Sequence, residues 1–280
     1  MKPIVFLGGG RITGALLSGL QRARYCRPVI VYDRHSEKLR DLRKTYGVTV
    51  EHDLDRATAN AGLLIIAVRP GSVSDLLREI DSMQRGTSAV SLAAGVPLAS
   101  LRKQLPSVHW ARAMPSPACR SLHGLTALTF SPGFPTARKA EIRQFFGAVG
   151  QVLEIAESKF DVFTVTYSSS HGYHALATLT TAAEKLGLDR KTALTAAAHA
   201  LADGILAWRD ANVSLDALLQ EATTPGGIAA AVMKTMDGAG YGKVIENGLA
   251  AGLVKARTNA VHAQLATAKR LAKRNKRTKG

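Results

Sequence analysis

Along the first half of the chain, short and largely apolar runs alternate with stretches in which apolar residues return every third or fourth position. The runs are Ile4–Leu7, Val29–Tyr32, Leu63–Val68 and Ala89–Leu92. Runs of that length read as strands buried on both faces of a sheet. The intervening stretches read as helices: the apolar residues at 12, 15, 16 and 20 share one face, and further helices are predicted over 37–46, 72–83, 97–105 and 137–146. Val48–Val50, Val108–Ala111, Thr126–Phe130 and Val152–Ile155 supply the remaining strands. Strands alternating with helices predict an α/β domain built on a doubly wound parallel sheet.

The pattern changes near Phe160. From Tyr173 onward β-branched strands give way to alanine-rich sequence at helical spacing. Leu176, Leu179, Ala183 and Leu186 share one face, Leu201, Ile205 and Trp208 another, and Gly187 and Thr223–Gly227 punctuate the helices. Trp208 and Tyr241 stand at helical spacing with aliphatic residues, which predicts both in the core. The expected division is a sheet domain over 1–158, an all-α domain over 159–268 and a basic, disordered tail over 269–280. Helices apolar on more than one face predict that a second subunit covers part of the helical domain, giving a homodimer or a larger oligomer.

Chemistry concentrates where the first strand meets the first helix. Gly8, Gly9 and Gly10 turn the chain there and leave backbone N–H groups aimed outward at a helix N-terminus, a site for a pyrophosphate. Asp33 ends the next strand, about 20 positions beyond the glycines, where an acid holds the adenosine ribose in a Rossmann-type dinucleotide unit. The third glycine of that fingerprint falls on Thr13, with Gly14 one place late, which predicts looser packing of helix on strand.

Composition narrows the class. The chain has 280 residues, 46% hydrophobic but only 5% aromatic, so two aliphatic cores are expected. Its two cysteines, Cys26 and Cys119, give neither a disulfide framework nor a metal cluster and suit a reducing cytoplasm. A strand begins directly after Met1-Lys2-Pro3, so no signal peptide is expected, and no apolar run reaches membrane-spanning length. The formal net charge is +16, and Lys269, Arg270, Lys273, Arg274, Lys276, Arg277 and Lys279 crowd the tail without an acid. Such a run attracts phosphate, yet no aromatic residues interleave it for base stacking. It reads as a solubilising tail or as counter-charge for anionic ligands rather than as a nucleic-acid attachment.

Four motifs follow one another in order: Ala67-Val68-Arg69-Pro70, Ala93-Ala94-Gly95-Val96, Arg112-Ala113-Met114-Pro115 and Thr224-Pro225-Gly226-Gly227. With them the chain resembles the pyrroline-5-carboxylate reductase family from its start to about residue 260. The resemblance implies a dinucleotide domain, a helical dimer-forming domain, and reduction of a cyclic imino acid to proline with NADPH or NADH. It further implies that Leu7, Gly8, Gly9, Gly10, Arg11 and Ile12 wrap the pyrophosphate. Ala67, Val68, Arg69, Pro70, Leu92, Ala93, Ala94 and Met114 would line the cofactor at the carboxyl ends of the strands, where open α/β sheets bind ligands. Asp33 repels a 2′-phosphate and favours NADH, whereas Arg34 and His35 welcome one. The family habit tips the reading to NADP and leaves NAD open.

Three runs depart from the family pattern. Its Met-Pro-Asn-Thr-Pro is here Met114-Pro115-Ser116-Pro117-Ala118, its Ser-Gly-Ser-Gly-Pro-Ala-Tyr is Tyr167-Ser168-Ser169-Ser170-His171-Gly172-Tyr173, and its Ser-Pro-Gly-Gly-Thr-Thr is Thr224-Pro225-Gly226-Gly227-Ile228-Ala229. The family's last threonine resembles a donor to the imine nitrogen, and Ala229 cannot donate. Gly226, Gly227 and Ile228 open a helix and suit a substrate carboxylate, or form only an interhelix turn. Thr224 reads as a hydroxyl donor to substrate or as a helix N-cap, and Ser169 as a donor to substrate or part of a polar linker. His171 reads as a replacement acid–base group; with His174 it lacks the thiol or acid companions of a metal site, so no metal is expected. The expected function is an NAD(P)H-dependent reductase of a cyclic imino acid or related imine. The alternative is a catalytically weak NAD(P)-binding paralogue with a regulatory or scaffolding role.

Overall fold

The computed structural model describes residues 1–80, 86–211 and 213–277, with side chains to residue 259. The chain forms two compact units, Met1–Tyr167 joined by the chain from Gly252 onward, and Ser168–Ala251. The first unit strings together β1 (Ile4–Leu7), α1 (Arg11–Arg22), β2 (Val29–Tyr32), α2 (Ser36–Tyr46), β3 (Thr49–Glu51), α3 (Leu54–Ala59), β4 (Leu63–Ile66), α4 (Pro70–Glu79), β5 (Ser88–Ser91), α5 (Leu98–Gln104), β6 (His109–Pro115), β7 (Gly124–Phe130), α6 (Thr136–Gly147), β8 (Gly150–Glu154) and α7 (Glu157–Thr166).

All eight strands form one sheet in the order β3-β2-β1-β4-β5-β6-β7-β8. β1 pairs in parallel with β2 and with β4, Leu7 standing opposite Tyr32 on one side and Ile66 on the other. The chain therefore winds outward in both directions from β1, and a crevice opens at the carboxyl ends of these strands. Alternate residues of each strand serve opposite faces. Ile4, Phe6, Leu63 and Ile65 pack with Leu16, Leu20 and Phe145, while Val5, Leu7, Leu64 and Ile66 pack with Val73, Leu77 and Trp110.

The sheet departs from the expected all-parallel pattern at one place. β7 runs antiparallel to β6, Met114 opposite Ala127. A single short 3-10 helix, Pro117–Ser121, joins the two, and so short a link cannot make the crossover that parallel pairing needs. Gly19 lets α1 lie directly on this link, since a Cβ there would strike the Cys119 carbonyl. α3 has no counterpart in the sequence reading; its six residues are too few to show a period, and it is started by Asp53, whose carboxylate accepts the Arg56 N–H at 2.9 Å. α4 stops at Glu79, short of the predicted 83, as Ile80 turns extended; residues 81–83 lie outside the described residues.

One buried ion cluster fastens α7 to the sheet. Arg112 of β6 is 1% exposed, its guanidinium 2.6 Å from Asp161 and 3.6 Å from Glu157, and it lies 4.4 Å above the Phe160 ring. The Glu157 carboxylate also accepts the Leu98 N–H at 2.6 Å. The returning chain closes on the same region: Gly252 lies against Val165, and Gly95, at φ +72°, lies so near the Ala256 carbonyl that a side chain would collide with it.

The second unit holds α8 (Ser169–Lys185), α9 (Arg190–Asp210), α10 (Leu215–Ala222), α11 (Ile228–Gly238) and the first turns of α12 (Tyr241–Arg277). α8 and α9 pack together and bury Thr180, Ala193 and Ala197, whereas α10 and α11 bury no side chain. Trp208 and Tyr241, expected in the core, are about half exposed, and Leu186 is 89% exposed. Alanine-rich helices present too little volume to enclose such residues within one chain. α12 continues as helix to Arg277, through most of the basic segment that composition reads as disordered. Among the described residues no helix is long and apolar enough to cross a membrane.

Removing the Arg112 guanidinium strands two carboxylates beside the sheet. Arg112→Ala is expected to lower unfolding stability by about 3 kcal/mol, the low end for a broken buried pair because both acids keep part of their water. Urea unfolding of the two proteins measures it.

Candidate active site

The carboxyl edge of the sheet gathers the predicted nucleotide residues. Backbone ladders continue past the strand ends: Gly8 N–H donates to the Tyr32 carbonyl at 2.8 Å, Ala67 N–H to Leu7 at 2.8 Å, and Leu92 N–H to Ile66 at 2.9 Å. Leu7 through Ile12, Asp33 through His35, Ala67 through Pro70 and Leu92 through Ala94 thus line adjacent strand ends, with Met114 near the end of β6.

Each glycine of the first turn has its own reason. Gly8 has φ +118°, and a Cβ on it would sit 2.7 Å from the Ala67 carbonyl oxygen. A Cβ on Gly9 would crowd Leu42 at 2.9 Å. Gly10 is the N-cap of α1, with no side-chain cap bond and nothing within 4 Å of a would-be Cβ. The first N–H groups of α1 have no intrahelical partner, and here they open on clear space. That cradle fits the pyrophosphate of a dinucleotide. Thr13 corrects the sequence reading: it is fully buried, and its hydroxyl donates to the Gly8 carbonyl at 2.6 Å. The threonine ties helix to turn where looser packing was expected.

The end of β2 also differs from expectation. Asp33 accepts the Gly9 N–H on Oδ2 at 2.8 Å, and on Oδ1 the His35 N–H at 2.9 Å with the His35 ring at 2.7 Å. Lys38 stands 3.8 Å from Oδ2. Burial alone would push this carboxyl up; the Gly9 and His35 donors and Lys38 outweigh it and hold it below its ordinary value. Asp33 therefore braces the phosphate turn through Oδ2 and ties down its own strand end through Oδ1. Arg34 pairs with Glu79 at 2.5 Å. Lys38 and Glu79 escaped the sequence reading. Lys38 lies on the first turn of α2, a signal that local spacing offers; Glu79 is 45 residues from its partner, and no local pattern points to it.

The predicted catalytic and substrate residues all lie in the second unit. Ser169 and His171 occupy the exposed first turn of α8, behind the N-cap Ser168, whose carbonyl accepts the His171 N–H at 3.0 Å. The Ser168 and Ser170 hydroxyls are 2.6 Å apart. Thr224, Gly226, Gly227 and Ile228 form one turn at the head of α11, on a different helix. Thr224 is not the cap of that helix: its carbonyl accepts the Gly227 N–H at 2.9 Å, and Gly227 is the N-cap, without a side-chain bond. Gly226 has φ +79°, a left-handed position that favours glycine. Ile228 is 87% exposed.

Residues 3–95 match the family model described as NADP oxidoreductase, coenzyme F420-dependent, and residues 157–259 match that described as pyrroline-5-carboxylate reductase dimerisation. A pyrroline-5-carboxylate reductase of Mycobacterium leprae is 31% identical over 91% of this chain and 96% of its own. The chain belongs to the pyrroline-5-carboxylate reductase family. As a member it is an oxidoreductase. The Thermus thermophilus member is 35% identical over 71% of this chain and 77% of its own. The Plasmodium falciparum pyrroline carboxylate reductase, solved with NADP bound, shares the family fold at TM-score 0.83 and 17% identity, over 92% of this chain and 98% of that one.

Two outcomes follow from the turn. Asp33's carboxyl is lower in the folded than in the unfolded chain, so it stabilises the fold above about pH 4 and loses that contribution as pH falls through its folded value. An amide there has one acceptor oxygen for two opposed N–H groups. Asp33→Asn should cost about 1–3 kcal/mol at neutral pH and flatten the acid loss of stability, read by urea unfolding across pH. Gly10→Val should unfold at the wild-type urea midpoint yet fail to bind a dinucleotide in calorimetric titration, because the new side chain fills only the open cradle.

Proposed function

We propose that the protein reduces the C=N bond of a cyclic imino acid, pyrroline-5-carboxylate or a close relative, with NADPH as donor and NADH as second choice. The open N-terminus of α1 at the centre of the sheet carries this reading, in a chain about one-third identical to reductases of that name. The NADP in the Plasmodium falciparum relative supports the cofactor. The bound nicotinamide supplies a hydride.

The chain's own residues supply position and charge. Leu7 to Ile12 hold the pyrophosphate by backbone N–H groups, and Ala67 to Pro70, Leu92 to Ala94 and Met114 form the wall beside it. At the head of α11, Gly226, Gly227 and Ile228 present backbone N–H groups without competing side chains, suited to a carboxylate. The exposed Thr224 and Ser169 hydroxyls are donors to substrate, and His171 holds the proton that the imine nitrogen needs. The apolar residues left exposed on α9, α10 and α11 fit a homodimer formed through the helical unit, in keeping with the dimerisation match. Two free cysteines, with burial pushing the Cys119 thiol up to about 11, suit a reducing cytoplasm.

One observation favours a second reading, a weakly catalytic dinucleotide-binding paralogue. Ala229, the second residue of α11, has no hydroxyl where the family pattern has threonine. A hydrogen bond to a charged group is worth about 1.5–3 kcal/mol, roughly ten- to a hundredfold in rate. Ala229→Thr is therefore expected to raise reduction of pyrroline-5-carboxylate at least about tenfold, followed as NADPH and NADH oxidation over a panel of cyclic imines. Dinucleotide binding without oxidation on any imine, in either protein, would establish the second reading.

A further inference from the structure

At the end of β2 in a dinucleotide fold, an acid accepts the ribose hydroxyls or a nearby arginine takes a 2′-phosphate. Here the acid is occupied. Both Asp33 oxygens are held by the protein's own N–H groups and the His35 ring. Arg34, His35 and Lys38 are basic side chains at this strand end. His35 and Lys38 are drawn to Asp33, and Arg34 is held by Glu79 at 2.5 Å across from the last residue of α4. Both members of that last pair are about half exposed, at 55% and 48%, so water screens the pair and an incoming anion can displace it.

We propose that Glu79 sets the preference between the two nicotinamide dinucleotides, by competing with a 2′-phosphate for Arg34. The inference rests on the dinucleotide reading above. A 2′-phosphate carries close to two negative charges and matches the planar guanidinium with two parallel bonds. To bind it, Arg34 must leave a carboxylate that then stays nearby as a like charge. A free ribose hydroxyl makes no such demand. Glu79 thus weakens the 2′-phosphorylated ligand alone, and the chain discriminates less than the basic side chains at this strand end suggest.

The full-length protein, titrated calorimetrically with NADPH, NADH, adenosine 2′,5′-bisphosphate and AMP, tests this. Glu79→Gln is expected to tighten NADPH and the bisphosphate about two- to fivefold, while NADH and AMP stay within experimental scatter. Arg34→Ala is expected to weaken the two 2′-phosphorylated ligands about tenfold or more and to abolish the gain from Glu79→Gln in the double variant. Equal changes for phosphorylated and unphosphorylated ligands, no change at Glu79→Gln, or a gain that persists without Arg34 each overturn the role of Glu79. Wild-type protein that binds none of the four ligands overturns the dinucleotide reading, and this inference with it.

Discussion

The Arg112 guanidinium is the tie on which the first unit depends. A strand residue this deep cannot reach bulk water, so its charge must be met inside. It is met from α7, by Asp161, by Glu157 and by the face of Phe160. Glu157 in turn holds the backbone that starts α5. One cation therefore fixes the helix that follows the sheet to two places within it, and the first unit runs on to Tyr167 where composition alone suggests an earlier boundary. The sequence shows Arg112 as part of a motif but not as buried, because its partners lie about 50 positions away in a stretch whose period is unclear.

What was legible in the sequence is what local pattern encodes. Continuous apolar runs announced the central strands, and the glycines with Asp33 announced the crevice where they end. The antiparallel β7 was hidden because a strand's direction depends on the length of the link before it, and Pro117–Ser121 looks like any polar loop. Thr13 was misread for a related reason. A family fingerprint scores the missing glycine as a loss, whereas the hydroxyl bond to Gly8 is visible only once the turn is built. Trp208 and Tyr241 mark the limit of periodicity: a repeating apolar face shows that something covers it, not whether the same chain does.

Two helix starts in this chain share one construction. α1 and α11 both begin at a glycine that makes no side-chain cap bond. Asp53, Asp189 and Ser214 instead accept N–H groups from the turns they start, while α2, α4, α5, α6, α7 and α8 begin at other residues that likewise make no side-chain cap bond. A start without a side-chain cap costs local stability, and these two glycine starts fall at the turns read as sites for an anion. Donors not used to hold the helix remain free for an anion.

The return of α12 to the first unit has a consequence for how the protein is made. The backbone of Gly95 lies against Ala256, and Val165 against Gly252. The first unit therefore shares its surface with chain that is made only after the whole helical unit, from Gly252 onward. Synthesis delivers about 5–20 residues each second, so the nascent sheet waits on the order of ten seconds with that surface bare. During that wait the helices between are also unfinished. The α/β unit, although its strands precede the helical unit in the sequence, is completed after it, and its folding is tied to synthesis by contacts of long sequence separation.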